Sequence, residues 1–110
     1  MKATITLIHL KTPFHFFSLS LYALKILNQL KETNHLDFKK TGIGTKHYTM
    51  TLWKSEDELK AFSKSGAHKE AMKASAKLAK EIKTLTIDAE KLPDWKTAKE
   101  MLTHVKGMSF

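Results

Sequence analysis

Apolar and polar positions alternate strictly at the start of the chain. Across residues 2–10, Ala3, Ile5, Leu7 and His9 fall on one face, and Thr4, Thr6, Ile8 and Leu10 on the other. A period of two is that of a strand. The pattern then lengthens to threes and fours. Pro13 suits a first helical turn, and residues 14–31 predict a helix whose wide apolar face holds Phe16, Phe17, Leu21, Leu24, Ile26, Leu27 and Leu30. Period two returns over residues 36–43 and 46–53, around the turn signal Gly42-Ile43-Gly44. In the later strand Tyr48, Met50 and Leu52 oppose His47, Thr49, Thr51 and Trp53.

Ser55 followed three residues later by Glu58 is a capping box, with Glu56 and Asp57 also in the first turn. The helix it opens carries Leu59 and Phe62 inward and breaks near Gly66, and a second helical piece is expected over 67–80. Residues 82–89 alternate as a fourth strand. Pro93 and Asp94 then start a helix with Trp95, Ala98, Leu102 and Val105 at helical spacing, closed by Gly107.

The order β-α-β-β-α-β plus a C-terminal helix predicts an α+β fold. It is a ferredoxin-like antiparallel sheet in one domain spanning residues 1–110. The helices are expected on the face of Ala3, Ile5, Leu7 and His9. The opposite face carries Thr4 and Thr6, Thr49 and Thr51, and Thr84 and Thr86, extended by Trp53. Threonine suits a partly buried sheet. A second copy is therefore expected there, giving a homodimer through the sheet face that closes a dimeric α+β barrel.

Composition narrows the chemistry. The absence of cysteine excludes disulfides, thiolate metal sites and Cys nucleophiles. The formal charge of +8 comes from 19 lysines with no arginine. Arginine is the usual bidentate reader of guanine and phosphate, and the lysines are spread from Lys2 to Lys106, so a nucleic-acid partner is not expected. The opening residues have neither a long apolar stretch nor a small-residue cleavage site, and Phe14–Leu30 is too polar to span a bilayer. The expected location is the cytoplasm. The histidines at 9, 15, 35, 47, 68 and 104 show no metal-ligand spacing, and no nucleophile elbow, P-loop or dinucleotide fingerprint occurs.

Three features carry candidate chemistry. His68 follows the expected helix break, on one stripe with Met72; it is a candidate proton-transfer group or axial haem ligand, against the ordinary reading of a surface histidine. Phe14, Phe16, Phe17 and Tyr22 either pack the core or line a pocket for a small apolar ligand. His9 lies on the inward face, where a buried histidine requires a hydrogen-bond partner.

The segments LDFKKTGIGT, YTMTLWKSEDELKAF and SGAHKEAM, and the later LPDW, resemble the spheroidene monooxygenase-like group and its bacterial relatives. That group belongs with the antibiotic biosynthesis monooxygenases and haem-degrading enzymes among the dimeric α+β barrel proteins. Trp53, Ser55, Phe62 and His68 match its pattern. The resemblance implies a homodimer with a pocket between sheet and helices, and oxygen chemistry on an apolar or aromatic molecule, with haem or with no cofactor. His68 would be catalytic, His68 and Met72 would hold a cofactor, and Phe14, Phe17, Phe62 and His9 would contact substrate. The haem-degrading branch carries Trp where this chain has Phe62, His where it has Met72, and an Asn on the first strand that is missing here. Haem degradation of that type is therefore not implied. The alternatives from other classes are a non-catalytic ligand-binding or sensing dimer and a binder of anionic surfaces.

Overall fold

The computed structural model describes residues 1–31, 33, 35–64, 73–74, 77–78 and 79–109, without the side chains of Ile43 and Met108. Five antiparallel strands form one sheet: β1 (Lys2–Leu10), β2 (Asp37–Ile43), β3 (Lys46–Trp53), β4 (Ala79–Asp88) and β5 (Met108–Ser109), in the spatial order β2-β3-β1-β4-β5. A single 3-10 turn, Pro13–His15, leads into α1 (Phe16–Leu30); α2 is Glu56–Ser63 and α3 is Trp95–Thr103. The four longer strands in order 2-3-1-4, with helices between them, are the expected ferredoxin-like α+β architecture.

Local chemistry explains the joints. β2 and β3 meet in a two-residue hairpin, and Gly44 takes φ +65° there. That left-handed conformation suits glycine. Gly42 is glycine for space: a Cβ would run into the His47 ring and lie 2.8 Å from the Lys46 carbonyl oxygen. The Ser55 cap forms as expected, its Oγ accepting from the Glu58 N–H at 3.3 Å. Asp94 caps α3, its Oδ1 accepting from the Thr97 N–H at 2.8 Å.

The register places threonine against threonine. Thr4 pairs with Thr51 and Thr86, and Thr6 with Thr49 and Thr84, so two rows of three cross β3, β1 and β4. The coverage of the two faces corrects the sequence expectation. The face of Ala3, Ile5 and Leu7 packs with Met50, Leu52, Leu85 and Ile87 under α3, through Ala98 and Leu102. Trp53, on the threonine face, is covered by this chain's own α1 and α2, through Leu30 and Phe62. It is 2% exposed and does not wait for a second copy. Alternation divides a strand into two faces; it does not say which helix covers which, since both faces are apolar enough to be packed.

Two boundaries also differ. The helix expected to Lys80 gives way to β4 at Ala79, because Ala79 pairs with Leu10 and the Lys11 N–H donates to the Leu78 carbonyl at 2.9 Å. Pairing with β1 overrides the helix propensity of the Ala-Lys run. α3 ends at Thr103, and Gly107 precedes β5 instead of closing the helix. A Cβ at Gly107 would lie 2.7 Å from Glu81 Cγ, so this glycine makes room for Glu81.

α1 is apolar on both sides. Ile26, Leu27 and Leu30 pack inward. Phe14 (81% exposed), Phe17 (74%), Leu21 and Leu24 form an outward stripe. No helix among the described residues is long and apolar enough to cross a membrane.

Candidate functional site

The strand register builds a polar patch at the far end of the α3-covered face. His9 on β1 lies directly between Lys46 on β3 and Glu81 on β4. One step inward, Leu7 lies between Tyr48 and Lys83. Side chains directly opposite on one face stand about 4.5–5.5 Å apart, so the six form two touching rows. Lys99, at the middle of α3, and Leu102 and Thr103, at its C-terminal end, complete the wall of a pocket of about 150 Å³.

A bulge sits at the centre of this arrangement. The β1–β4 register shifts between His9 and Leu10, so Lys80 has no opposite number on β1. Bulges re-aim neighbouring side chains and are common beside functional sites. Leu10 is fully buried while His9, its neighbour, lines the pocket.

The charges are unbalanced. Lys46, Lys83 and Lys99 line the pocket with one carboxylate, Glu81. Lys83 Nζ donates to the Leu102 carbonyl at 3.3 Å, which also accepts the Val105 N–H at 3.1 Å. Lys99 Nζ stands 5.0 Å from the centre of the Tyr48 ring. His9 is held below its ordinary pKa of 6.5, first by burial, then by the positive charges of Lys80 and Lys46, against the opposing effect of Glu81. It is therefore a neutral imidazole at pH 7, able to accept a proton.

The other sequence candidates are dispersed. Phe14, in the 3-10 turn, and Phe17, in the first turn of α1, are exposed. Phe62 is in the core of the opposite sheet face, its ring centre 5.2 Å from that of Trp53. These three do not line the pocket that holds His9. His68 and Met72 lie outside the described residues. Sequence reasoning found His9 and missed its neighbours, because lysines and a glutamate on strands read as ordinary surface positions. No local signal could have found them: Lys46 comes opposite His9 only through the long-range antiparallel pairing of β1 with β3.

The fold defines the class: an antiparallel ferredoxin-like sheet with a small polar pocket between one face and the C-terminal helix. The chain has the fold of the antibiotic biosynthesis monooxygenase-like proteins. Among solved structures it is similar to a protein from Deinococcus radiodurans assigned as an antibiotic biosynthesis monooxygenase (TM-score 0.72, 11% identity, covering 86% of this chain and 97% of that one). It is also similar to a conserved protein from Methanosarcina mazei (TM-score 0.72, 13% identity, 81% and 92%). A third is SnoaB of Streptomyces nogalater, a cofactor-independent oxygenase (TM-score 0.65, 10% identity, 84% and 97%). At these identities the likeness shows the fold alone. No family model and no curated protein matches the sequence.

Proposed function

We propose that this chain is an oxygenase-like enzyme acting on a one-ring phenolic or enolic molecule without a bound prosthetic group, with His9 as the base. The observation that carries the reading is the neutral His9 at a bulge in the wall of the pocket, beside Lys46, Lys83 and Tyr48. The pocket, open to solvent on one side, has about 150 Å³, room for one ring inside it. The fold shared with a cofactor-independent oxygenase agrees with this chemistry.

His9 accepts the phenolic or enolic proton, and the lysines stabilise the anion that results. An electron-rich anion of this kind reduces dioxygen itself. A ring CH2, the keto form of a phenol's CH, becomes C=O; one oxygen atom stays in the product and the other leaves as water. The substrate supplies all four electrons. The pocket lies below the roughly 300–1,000 Å³ of clefts that enclose drug-sized ligands. A pocket of this size does not enclose a tetrapyrrole.

Oxygen uptake with a panel of one-ring phenols tests the reading. His9→Gln is expected to lower kcat/KM about 10²-fold, the lower end of what a positioned base contributes. Activity requires neutral His9, so kcat/KM falls as pH falls, with the acid limb below 6.5. Equal uptake by wild type and His9→Gln overturns the role of His9. Saturable binding with no uptake for any phenol leaves a ligand-binding module.

The reading includes a homodimer. The outward α1 stripe of Phe17, Leu21 and Leu24 is the surface for a second copy. Light scattering is expected to give twice the 12.6 kDa of one chain, and Leu21→Lys to shift it toward the single-chain value. A wild-type mass of one chain at micromolar concentration rejects the dimer.

A further inference from the structure

The two outer edges of the sheet are built differently. β2, at one end, carries Asp37, Lys39 and Lys40. Charges on an edge strand discourage pairing with another chain. At the other end, β5 covers β4 only at Glu81 and Ile82. Past Ile82 the edge of β4 has no charge between Lys83 and Asp88, and neither proline nor bulge interrupts it. Among the described residues, no backbone group pairs with this stretch from outside. Thr84, Thr86 and Asp88 are exposed there.

The hydrogen-bond pattern says which groups the edge offers. The Ala89 N–H donates to the Met1 carbonyl at 3.1 Å, one step past the pairing of Lys2 with Asp88. Hydrogen-bonded and non-hydrogen-bonded pairs alternate along an antiparallel ladder. Leu85 and Ile87 therefore turn N–H and C=O toward β1, and Thr84, Thr86 and Asp88 turn theirs outward. We propose that this edge pairs with the same edge of a second copy, β4 antiparallel to β4 about a two-fold axis at Thr86, making one continuous sheet.

The edge is complementary to itself in that register. Thr86 meets the partner's Thr86, and Thr84 and Asp88 meet the partner's Asp88 and Thr84. These are three hydrogen-bonded pairs with two bonds to a pair, so every outward N–H and C=O is used. An axis at Leu85 or at Ile87 leaves two such pairs. Side chains agree: Leu85 comes opposite the partner's Ile87, and the threonines opposite each other, as favourable cross-strand pairs do. The Thr84 hydroxyl comes opposite the partner's Asp88, a carboxylate that Lys2 of its own chain holds through Oδ1 at 2.6 Å. The contact is separate from the pocket and from the α1 stripe. At about five residues a side, against the ~20–30 of a standard interface, it is a transient one, so it fills above the micromolar range.

Amide solvent exchange in the full chain, read by NMR at ~0.05 and ~1 mM, tests the pairing. With a Kd of about 0.3 mM, roughly two-thirds of the chains are paired at the higher concentration. Exchange at Thr84, Thr86 and Asp88 is then expected to slow about two- to threefold. Leu85 and Ile87, already bonded to β1, and the β2 edge are expected not to change. Thr86→Lys sets like charges face to face at the axis and is expected to abolish the slowing. Thr86→Val keeps a β-branched residue and is expected to retain it. Thr86 is exposed, so the fold is expected to survive both changes.

Exchange independent of concentration at these three amides overturns the pairing, as does slowing that persists in Thr86→Lys. Slowing along β2 instead assigns self-association to the charged edge and overturns it too. Leu21→Lys separates this contact from the α1 stripe. Slowing at β4 that survives in Leu21→Lys sustains the pairing; slowing lost there overturns it and leaves the α1 dimer standing. A micromolar dimer split by Thr86→Lys and not by Leu21→Lys sustains the pairing and removes the α1 contact.

Discussion

Trp53→Ala is expected to destabilise the folded chain by about 3–5 kcal/mol, the cost of removing a large aromatic side chain from a core. Trp53 is 2% exposed at the end of β3, between Leu30 of α1 and Phe62 of α2. Its ring centre stands 5.2 Å from that of Phe62 and 6.3 Å from that of His35. No other indole reaches this cluster, so truncation leaves a cavity that α1 and α2 close only in part. A domain of this size has about 5–15 kcal/mol in total, so the loss is a large share. Urea unfolding checks it, with a lower midpoint at an unchanged slope. Trp53→Phe, which keeps an aromatic ring in the site, is expected to recover most of the loss. An interface role for Trp53 makes the opposite prediction: a weakened dimer from a fold of normal stability.

Ala98→Asp is expected to cost a similar amount, about 3–5 kcal/mol at pH 7, as an uncompensated buried charge does. Ala98 is fully buried in the α3 face that meets Ala3, Ile5 and Leu7, and none of these offers a polar partner. The loss depends on pH, and the sign follows from burial. Burial raises the pKa of the introduced carboxyl above its unfolded value of about 3.9. Below both values the carboxyl is neutral in both states, and the cost is that of an unpaired polar group in a tight site. As pH rises past 3.9 the unfolded state ionises first and is favoured, so the penalty grows until the folded pKa is passed. Unfolding at pH 3.5 and pH 7 checks this, with the larger destabilisation expected at pH 7. A penalty that does not change with pH places α3 away from the sheet.

Much of the fold is legible in sequence. The periods of two over residues 2–10 and 46–53 coincide with β1 and β3, and Ser55 caps the helix it was expected to cap. These features are local. Alternation, turn glycines and caps are set by residues within a few positions of each other, and the chain carries them wherever it packs. The threonine rows were also legible as a set, since each strand carries its own pair. Of the site, only His9 was visible. Lys46, Glu81, Lys83 and Lys99 lie on three different elements, and nothing local marks them as neighbours.

The sequence by itself determined which segments are strands and helices, their order, and which residues share a strand face. The tertiary structure decided which helix covers which face, where β4 takes over from the preceding helix, and that β5 forms at all. It placed the bulge at Lys80 beside His9 and brought three lysines to one pocket. The physical reason is range. Backbone propensity and side-chain period act within one element, whereas register, face coverage and charge clustering depend on pairing energies between segments far apart in the chain.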